Sequence, residues 1–205
     1  MIKVGLTGGY ASGKSFVAGE LERLGCYLIY ADRLGHRVLE PDGEAYAPTA
    51  EAFGPEILDN DRRIDRKKLA AVVFQAPELL EKLTGFVHPA VFRLEERMLA
   101  DFAAQNPNGI VVIEAAILIE TGRYKMFDRL ILTVCDEATQ ISRGMKRDRL
   151  SLEQARQRIS RQMPVEEKTS YADYVVNTSG DKKETIRQVQ AIYRDLKALV
   201  ETKSA

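Results

Sequence analysis

The chain has 205 residues, of which 45% are hydrophobic, and its 30 basic residues balance its 30 acidic residues. This length suits one globular unit with a sub-domain or two very small domains, and the hydrophobic share permits a sizeable core. A net charge of zero argues against nucleic-acid or membrane-surface partners, which usually require a basic excess. No apolar run approaches the roughly 18 residues that span a bilayer, and the N-terminus does not resemble a signal peptide. Two cysteines do not make a disulfide framework, so a reducing cytoplasm is the expected location, and the oligomeric state is left open.

The first residues predict a strand, a turn and a helix. Residues 2–6 are rich in β-formers, residues 7–13 form a glycine-rich turn, and residues 14–24 carry a helical apolar face. A second strand is predicted at residues 26–30, without the polar alternation of a half-exposed strand. It contains Cys26, which is expected to be a small buried side chain rather than half of a disulfide, as is Cys135 in a later strand.

Residues 32–105 have a helical pattern, with breaks predicted near residues 41–43, residues 54–55 and Pro89. Asp65 precedes an apolar helical face and is a candidate N-cap. This stretch is interpreted as a helical insertion.

Strands and helices alternate again in the second half of the chain. Ser151 and Gln154 have the spacing of a capping box at the start of one helix. The alternation predicts an α/β fold with a parallel central sheet. The predicted strands are residues 110–113, 130–134 and 174–176, and the predicted helices are residues 137–149, 152–162 and 182–201.

Residues 8–15 read GGYASGKS and match G-x-x-x-x-G-K-[ST] at every fixed position. Glycines let successive amide groups turn inward around a phosphate, and the following helix adds its free N-terminal amides. Lys14 can reach the β- and γ-phosphates, and the Ser15 hydroxyl can ligate Mg²⁺. The alternative is a chance match in a glycine-rich turn, which the strand before it and the helix after it disfavour.

The phosphate loop predicts a kinase rather than a GTPase, because D-x-x-G and N-K-x-D segments do not occur together in this chain. A small-molecule kinase needs a group that orients the attacking hydroxyl and positive charge over the transferred phosphoryl group. Asp32, just past the second strand, is the candidate base, and a helix cap is the equal alternative. Arg143 and Arg147 share one helix face and are candidates for a phosphate clamp on a lid. Seven basic residues against two acidic ones over residues 143–161 disfavour the alternative, a solvated salt-bridged helix pair.

Three further residues have two open interpretations each. Glu114 ends a predicted strand and either holds Mg²⁺ through water or simply faces solvent. Asn177 follows the last strand and forms a turn beside the nucleotide base or a turn without that role. His88 contacts the acceptor or is a packing residue.

These residues together resemble the dephospho-coenzyme A kinase family over essentially the whole chain. None of the segments after the phosphate loop is specific for the family on its own, but their order and spacing together are. The matching segments are GLTGGYASGKS at the start, IYADRLGH around Asp32, VHP at 87–89, SRGMKRD at 142–148, RISRQ at 158–162 and VVNTSG at 175–180.

The resemblance implies a three-layer P-loop NTPase fold with a helical substrate-binding insertion and a helical lid. Residues 1–31, 108–136 and 172–205 would form the nucleotide-binding core, residues 32–107 the acceptor sub-domain and residues 137–171 the lid. It implies ATP-dependent phosphorylation of the ribose 3′-hydroxyl of dephospho-coenzyme A, with Mg²⁺. The alternatives are a nucleoside or nucleoside-monophosphate kinase and an ATP-dependent switch module.

The family's functional positions fall on identified residues of this chain. Its base maps to Asp32 and its lid arginines to Arg143 and Arg147. Ala11 stands where glycine is usual, Phe16 where threonine is usual, and EAAILIE at 114–120 replaces D-x-P-L-L-F-E. The residues that the resemblance places on the phosphates are Gly8, Gly9, Tyr10, Ala11, Ser12, Gly13, Lys14, Ser15 and Phe16.

Overall fold

A five-stranded sheet organises the fold in the computed structural model, which describes residues 1–204. The strand order is β2-β3-β1-β4-β5, so β1 occupies the centre. β1 pairs in parallel with β3 and β4, and β4 pairs in parallel with β5, which confirms the predicted α/β class with a parallel central sheet. The strands are β1 (Ile2–Gly8), β2 (Tyr27–Tyr30), β3 (Ile110–Glu114), β4 (Arg129–Val134) and β5 (Tyr174–Asn177).

Nine α-helices and two short 3₁₀ helices, at residues 55–57 and 123–126, complete the part of the chain that the structure describes. The predicted capping box at Ser151 and Gln154 is present, and Asp65 caps its helix by accepting from two backbone amides. The helices are α1 (Lys14–Arg23), α2 (Ala31–Arg37), α3 (Tyr46–Phe53), α4 (Arg66–Val73), α5 (Pro77–Gln105), α6 (Glu137–Asp148), α7 (Leu152–Ser160), α8 (Val165–Thr169) and α9 (Lys182–Ser204).

The apolar strands form the core of the first compact unit, which comprises residues 1–29 and the chain from Phe102 onward. All five residues of β3 are buried, as expected for a strand covered on both faces. β1 extends two residues past its predicted end, because Gly8 still pairs with Thr133 of β4. Cys26 and Cys135 are both buried and free, as predicted.

Residues 30–101 form the second compact unit, which is helical as predicted. One cluster in it is built on Val38, Ala45 and Ala90. The predicted break at Pro89 is wrong, because α5 runs through it without interruption. A proline inside a helix removes one hydrogen bond and costs about 3 kcal/mol. Here Val87 and Ala90, on either side of Pro89, both pack in the cluster, so burial of this face of α5 favours the continuous helix.

Within residues 1–204, no helix combines the length and the apolar character needed to cross a membrane. The predicted lid segment corresponds to α6, α7 and α8 and lies within the first unit. α8 starts after Pro164 and was not predicted as a separate helix.

Candidate active site

The glycine-rich loop leaves the central strand β1 and enters α1, at the edge of the sheet where parallel strands end. Ligands of open α/β folds bind beyond this edge. Gly8 is required by close approach, since a Cβ there would lie 2.1 Å from Thr133 Oγ1. Gly13 has a φ of 88° and occupies the N-cap of α1, so no capping side chain covers that helix start. The N-terminal amides of α1 are therefore well placed to bind an anion.

Lys14 lies folded along this loop. Its Nζ donates to the carbonyl oxygens of Gly8 and Gly9, both at 3.0 Å. The ammonium group is thus held beside the backbone that would surround a phosphate. Ser15, the predicted Mg²⁺ ligand, is exposed in the first turn of α1.

Two small residues shape the loop. Ala11 has a φ of 54°, in the left-handed region that favours glycine. Ser12 is buried, and its Oγ lies 2.7 Å from Thr133 Oγ1 on β4. This buried contact ties the middle of the loop to the neighbouring strand.

Arg143 of α6 is connected to the loop through Thr178. The two Nη atoms of Arg143 donate to Thr178, one to Oγ1 at 2.9 Å and the other to the carbonyl oxygen at 2.6 Å. Thr178 Oγ1 in turn donates to the carbonyl oxygen of Ser12 at 2.8 Å. The chain Arg143–Thr178–Ser12 places this predicted arginine at the phosphate loop.

Arg147 also reaches the loop, by way of a tyrosine. Its guanidinium carbon lies 5.1 Å from the centre of the Tyr10 ring, and that of Arg158 lies 5.5 Å from it. Both arginines form salt bridges with Asp148, at 2.8 Å and 2.9 Å. The alternative interpretation of the basic segment, a salt-bridged helix pair, therefore holds in part. The two salt-bridged arginines nevertheless lie over the Tyr10 ring of the loop.

The hydrogen bonds from Arg147 and Tyr10 hold the pKa of the Asp148 carboxyl well below its usual range. The pKa of Tyr10 is raised, first by burial and then by its hydrogen bond to Asp148. At neutral pH the Asp148 carboxyl is therefore ionised and the Tyr10 phenol is neutral.

Two glutamines near the loop were missed by the sequence analysis. Gln162 Oε1 accepts from the backbone N–H of Tyr10 at 2.6 Å. Gln140 is buried, and a Cβ on Gly9 would lie 2.7 Å from its Nε2. A lone glutamine in a helical segment carries no signal in the sequence, although Gln162 does end the matched segment RISRQ.

Glu114 is buried at the end of β3, in register with Leu6 of β1. The solvent-facing interpretation of Glu114 is therefore wrong, and its role in holding Mg²⁺ stays a prediction. Asn177 Oδ1 accepts from the N–H of Ser179, so its side chain closes a turn. Phe16 follows Ser15 on α1, and its ring lies 5.6 Å from Lys182 Nζ.

Asp32 lies in the second unit, in the first turn of α2. The N-cap of α2 is Tyr30, and Asp32 makes no capping hydrogen bond. Its carboxylate is exposed and has no hydrogen bond or ion pair within residues 1–204. The helix-cap interpretation is thus wrong, and the role of base remains a prediction.

A glycine-rich loop between a central parallel strand and a helix, with Lys14 beside it and the arginines of α6 close to it, defines a P-loop nucleotide-binding protein of the kinase type. The family model described as dephospho-CoA kinase matches residues 2–184. The chain therefore belongs to the dephospho-CoA kinase family.

Individual relatives agree with this family. The chain is 40% identical to a dephospho-CoA kinase of Syntrophus aciditrophicus over 100% of its own length and 88% of the relative's. It is 38% identical to one of Aquifex aeolicus, covering 96% and 98% of the two chains. Its structure matches a dephospho-CoA kinase of Campylobacter jejuni with a TM-score of 0.72 and 25% identity, covering 96% and 97% of the two chains. It also matches a crystal structure from Thermus thermophilus with a TM-score of 0.78 and 32% identity, covering 95% and 97%.

Proposed function

We propose that this chain transfers the γ-phosphoryl group of ATP to the ribose 3′-hydroxyl of dephospho-coenzyme A. The observation that carries the proposal is the phosphate loop with its lid arginines, in a chain that belongs to the dephospho-CoA kinase family. Phosphoryl transfer requires positioning and charge stabilisation more than covalent chemistry from the protein. The loop, Lys14 and the arginines supply both.

The chain's own residues divide these tasks. The backbone amides of residues 8–16 bind the phosphate oxygens, and Lys14 turns from the loop carbonyls to the β- and γ-phosphates. Arg147 binds the transferred group, because a guanidinium matches the geometry of phosphate oxygens. Arg143 is the second arginine of this phosphate clamp, and its hydrogen bond to Thr178 fixes its position. Asn177 shapes the turn beside the nucleotide.

Mg²⁺ fits the oxygen donors at this edge of the sheet. The exposed Ser15 hydroxyl would hold the ion directly, and the Glu114 carboxylate would hold it through water. Mg²⁺ prefers such oxygen ligands. When bound, the ion neutralises charge on the β- and γ-phosphates.

Asp32 orients the 3′-hydroxyl and accepts its proton. The support for this role is an exposed carboxylate without a hydrogen bond or ion pair in the described chain, so no partner has to be displaced. A positioned base contributes on the order of 10²–10⁴ in rate.

The test is a turnover assay with ATP, Mg²⁺ and a panel of acceptors: dephospho-coenzyme A, nucleosides and nucleoside monophosphates. We expect phosphate on the 3′-hydroxyl of dephospho-coenzyme A, identified by mass spectrometry and by phosphorus NMR. Preferred phosphorylation of a nucleoside or nucleoside monophosphate would replace the proposal with that activity. ATP binding without phosphorylation of any acceptor would refute a kinase.

Two variants test the assigned roles. Asp32→Asn should lower kcat by about 100-fold or more while the Kd for ATP stays within about twofold. Lys14→Ala should lower both ATP affinity and kcat. Equal turnover of Asp32→Asn and the parent protein would remove Asp32 from the mechanism and leave the substrate assignment standing.

A further inference from the structure

The side chain of Tyr10 is the point where the phosphate loop contacts the lid. Its ring lies under the guanidinium groups of Arg147 and Arg158, and its Oη donates to Asp148 Oδ2 at 2.5 Å. Its own backbone N–H donates to Gln162. One loop residue thus touches α6, α7 and the segment after α7.

Asp148 binds all three of the other groups in this cluster. Its Oδ1 accepts from Arg147 Nε at 2.8 Å, and its Oδ2 accepts from Arg147 Nη2 at 3.0 Å and Arg158 Nη1 at 2.9 Å. Tyr10 Oη completes the set on Oδ2. Arg147 commits two of its five N–H groups to Asp148, so further donors on the same rigid plane remain for a phosphate oxygen.

The fit between loop and lid depends on Gly144, a buried residue of α6. A Cβ at this position would lie 2.4 Å from Tyr10 Cε1, 2.8 Å from Oη and 2.9 Å from Cζ. Real Cβ contacts are essentially never that short, so a side chain at position 144 requires the Tyr10 ring to shift. Because Asp148 binds the Oη of the same ring, the displacement would disturb the arginines as well.

We propose that Tyr10 is a positioning residue, which together with Gly144 and Asp148 holds Arg147 and Arg158 over the phosphates. The proposal rests on the proposed phosphoryl transfer and adds Arg158 to its lid arginines. A guanidinium fixed before the reaction loses less freedom when charge develops on the transferred group. The cluster therefore acts on the transition state more than on ATP binding.

The first test compares Tyr10→Phe with Tyr10→Ala. Phenylalanine keeps the ring under the arginines and against Gly144 but loses the bond to Asp148, and alanine loses both. Tyr10→Phe therefore tests the hydrogen bond to the charged carboxylate alone, and Tyr10→Ala tests that bond together with the cation–π contacts. We expect kcat to fall about 3-fold in Tyr10→Phe and about 20-fold in Tyr10→Ala, with the Kd for ATP changed less than threefold in both.

The second test is a double-mutant cycle between Tyr10→Ala and Gly144→Ala. Gly144→Ala alone should lower kcat about tenfold, because its methyl group displaces the ring. In the Tyr10→Ala background the methyl group meets no ring, so the double variant should be no slower than Tyr10→Ala. Independent, multiplying losses would overturn the coupling of Tyr10 to Gly144.

Thermal unfolding separates positioning from folding in every variant. A melting temperature lowered in proportion to kcat, or losses confined to ATP affinity, would show a structural or binding role and overturn the inference. The same preparations distinguish the two proposals. Failure of the parent protein to phosphorylate dephospho-coenzyme A refutes the function, whereas an active parent with an equally active Tyr10→Ala refutes only the role of Tyr10.

Discussion

Thr178→Val removes one hydroxyl while keeping nearly the same side-chain volume. That hydroxyl is buried, donates to the carbonyl oxygen of Ser12 at 2.8 Å and accepts from Arg143 at 2.9 Å. A neutral hydrogen bond contributes about 0.5–1.5 kcal/mol and one to a charged group about 1.5–3 kcal/mol. The second bond from Arg143, to the Thr178 carbonyl, is retained. The expected loss in the free energy of unfolding is therefore about 2–4 kcal/mol.

Differential scanning fluorimetry measures this loss. For a chain of this size 1 kcal/mol corresponds to roughly 2–4 °C, so Thr178→Val should melt about 4–16 °C below the parent. Isothermal titration calorimetry should show ATP affinity lowered about fivefold, because the Ser12 carbonyl belongs to the phosphate loop; that is about 1 kcal/mol.

Two controls make the test specific. Thr178→Ser keeps the hydroxyl, so its free energy of unfolding should fall far less than that of Thr178→Val. Thr202 donates to Ala198 near the exposed end of α9, and Thr202→Val should change stability by less than about 0.5 kcal/mol. Equal losses in Thr178→Ser and Thr178→Val, or a melting temperature of Thr178→Val equal to the parent's, would refute the reasoning.

Three further predictions concern backbone strain, pH and thiol reactivity. Ala11 has a left-handed φ of 54°, so Ala11→Gly should change the free energy of unfolding by less than about 1 kcal/mol while Ala11→Val costs more than about 2 kcal/mol in urea titrations. The hydrogen bond from Arg147 depresses the pKa of Asp148, so the ionised carboxylate stabilises the folded protein. This contribution is present above the unfolded pKa of about 3.9 and is lost as pH falls through the folded pKa. Asp148→Asn should therefore flatten the acid side of the stability profile, and an unchanged profile would contradict this. Burial raises the pKa of Cys26 to about 12 and also raises that of Cys135, so Ellman's reagent at pH 8 should find no fast thiol in the native protein and two after denaturation.

Local signals made the strands and the phosphate loop predictable. Continuous apolar runs indicate strands covered on both faces, and β3 and β4 follow them. The Ser151 capping box depends only on residues three apart, and it formed as expected. Pro89 shows the limit of such rules, since α5 continues through it where its neighbours Val87, Ala90 and Val91 pack in a hydrophobic cluster.

Long-range contacts at the site were beyond prediction from residue patterns. Tyr10 and Asp148 lie 138 positions apart, and Thr178 bonds Ser12 across 166 positions. In the sequence, Tyr10 is a variable position of the loop motif and Thr178 is part of a turn. Their roles depend on which strand ends and helix faces the sheet order brings together.

The sequence by itself determined the chemistry available to this protein: a loop that can surround phosphates, a lysine and a serine hydroxyl at its end, and a basic segment to cover it. Those properties depend only on the residue types and on their short spacing along the chain. Only the tertiary structure decided that Thr178 attaches Arg143 to the loop and that Tyr10 attaches Arg147 to it. The reason is that hydrogen bonds and ring contacts require a few ångströms of approach, and the parallel pairing of β4 with β1 and β5 creates that approach.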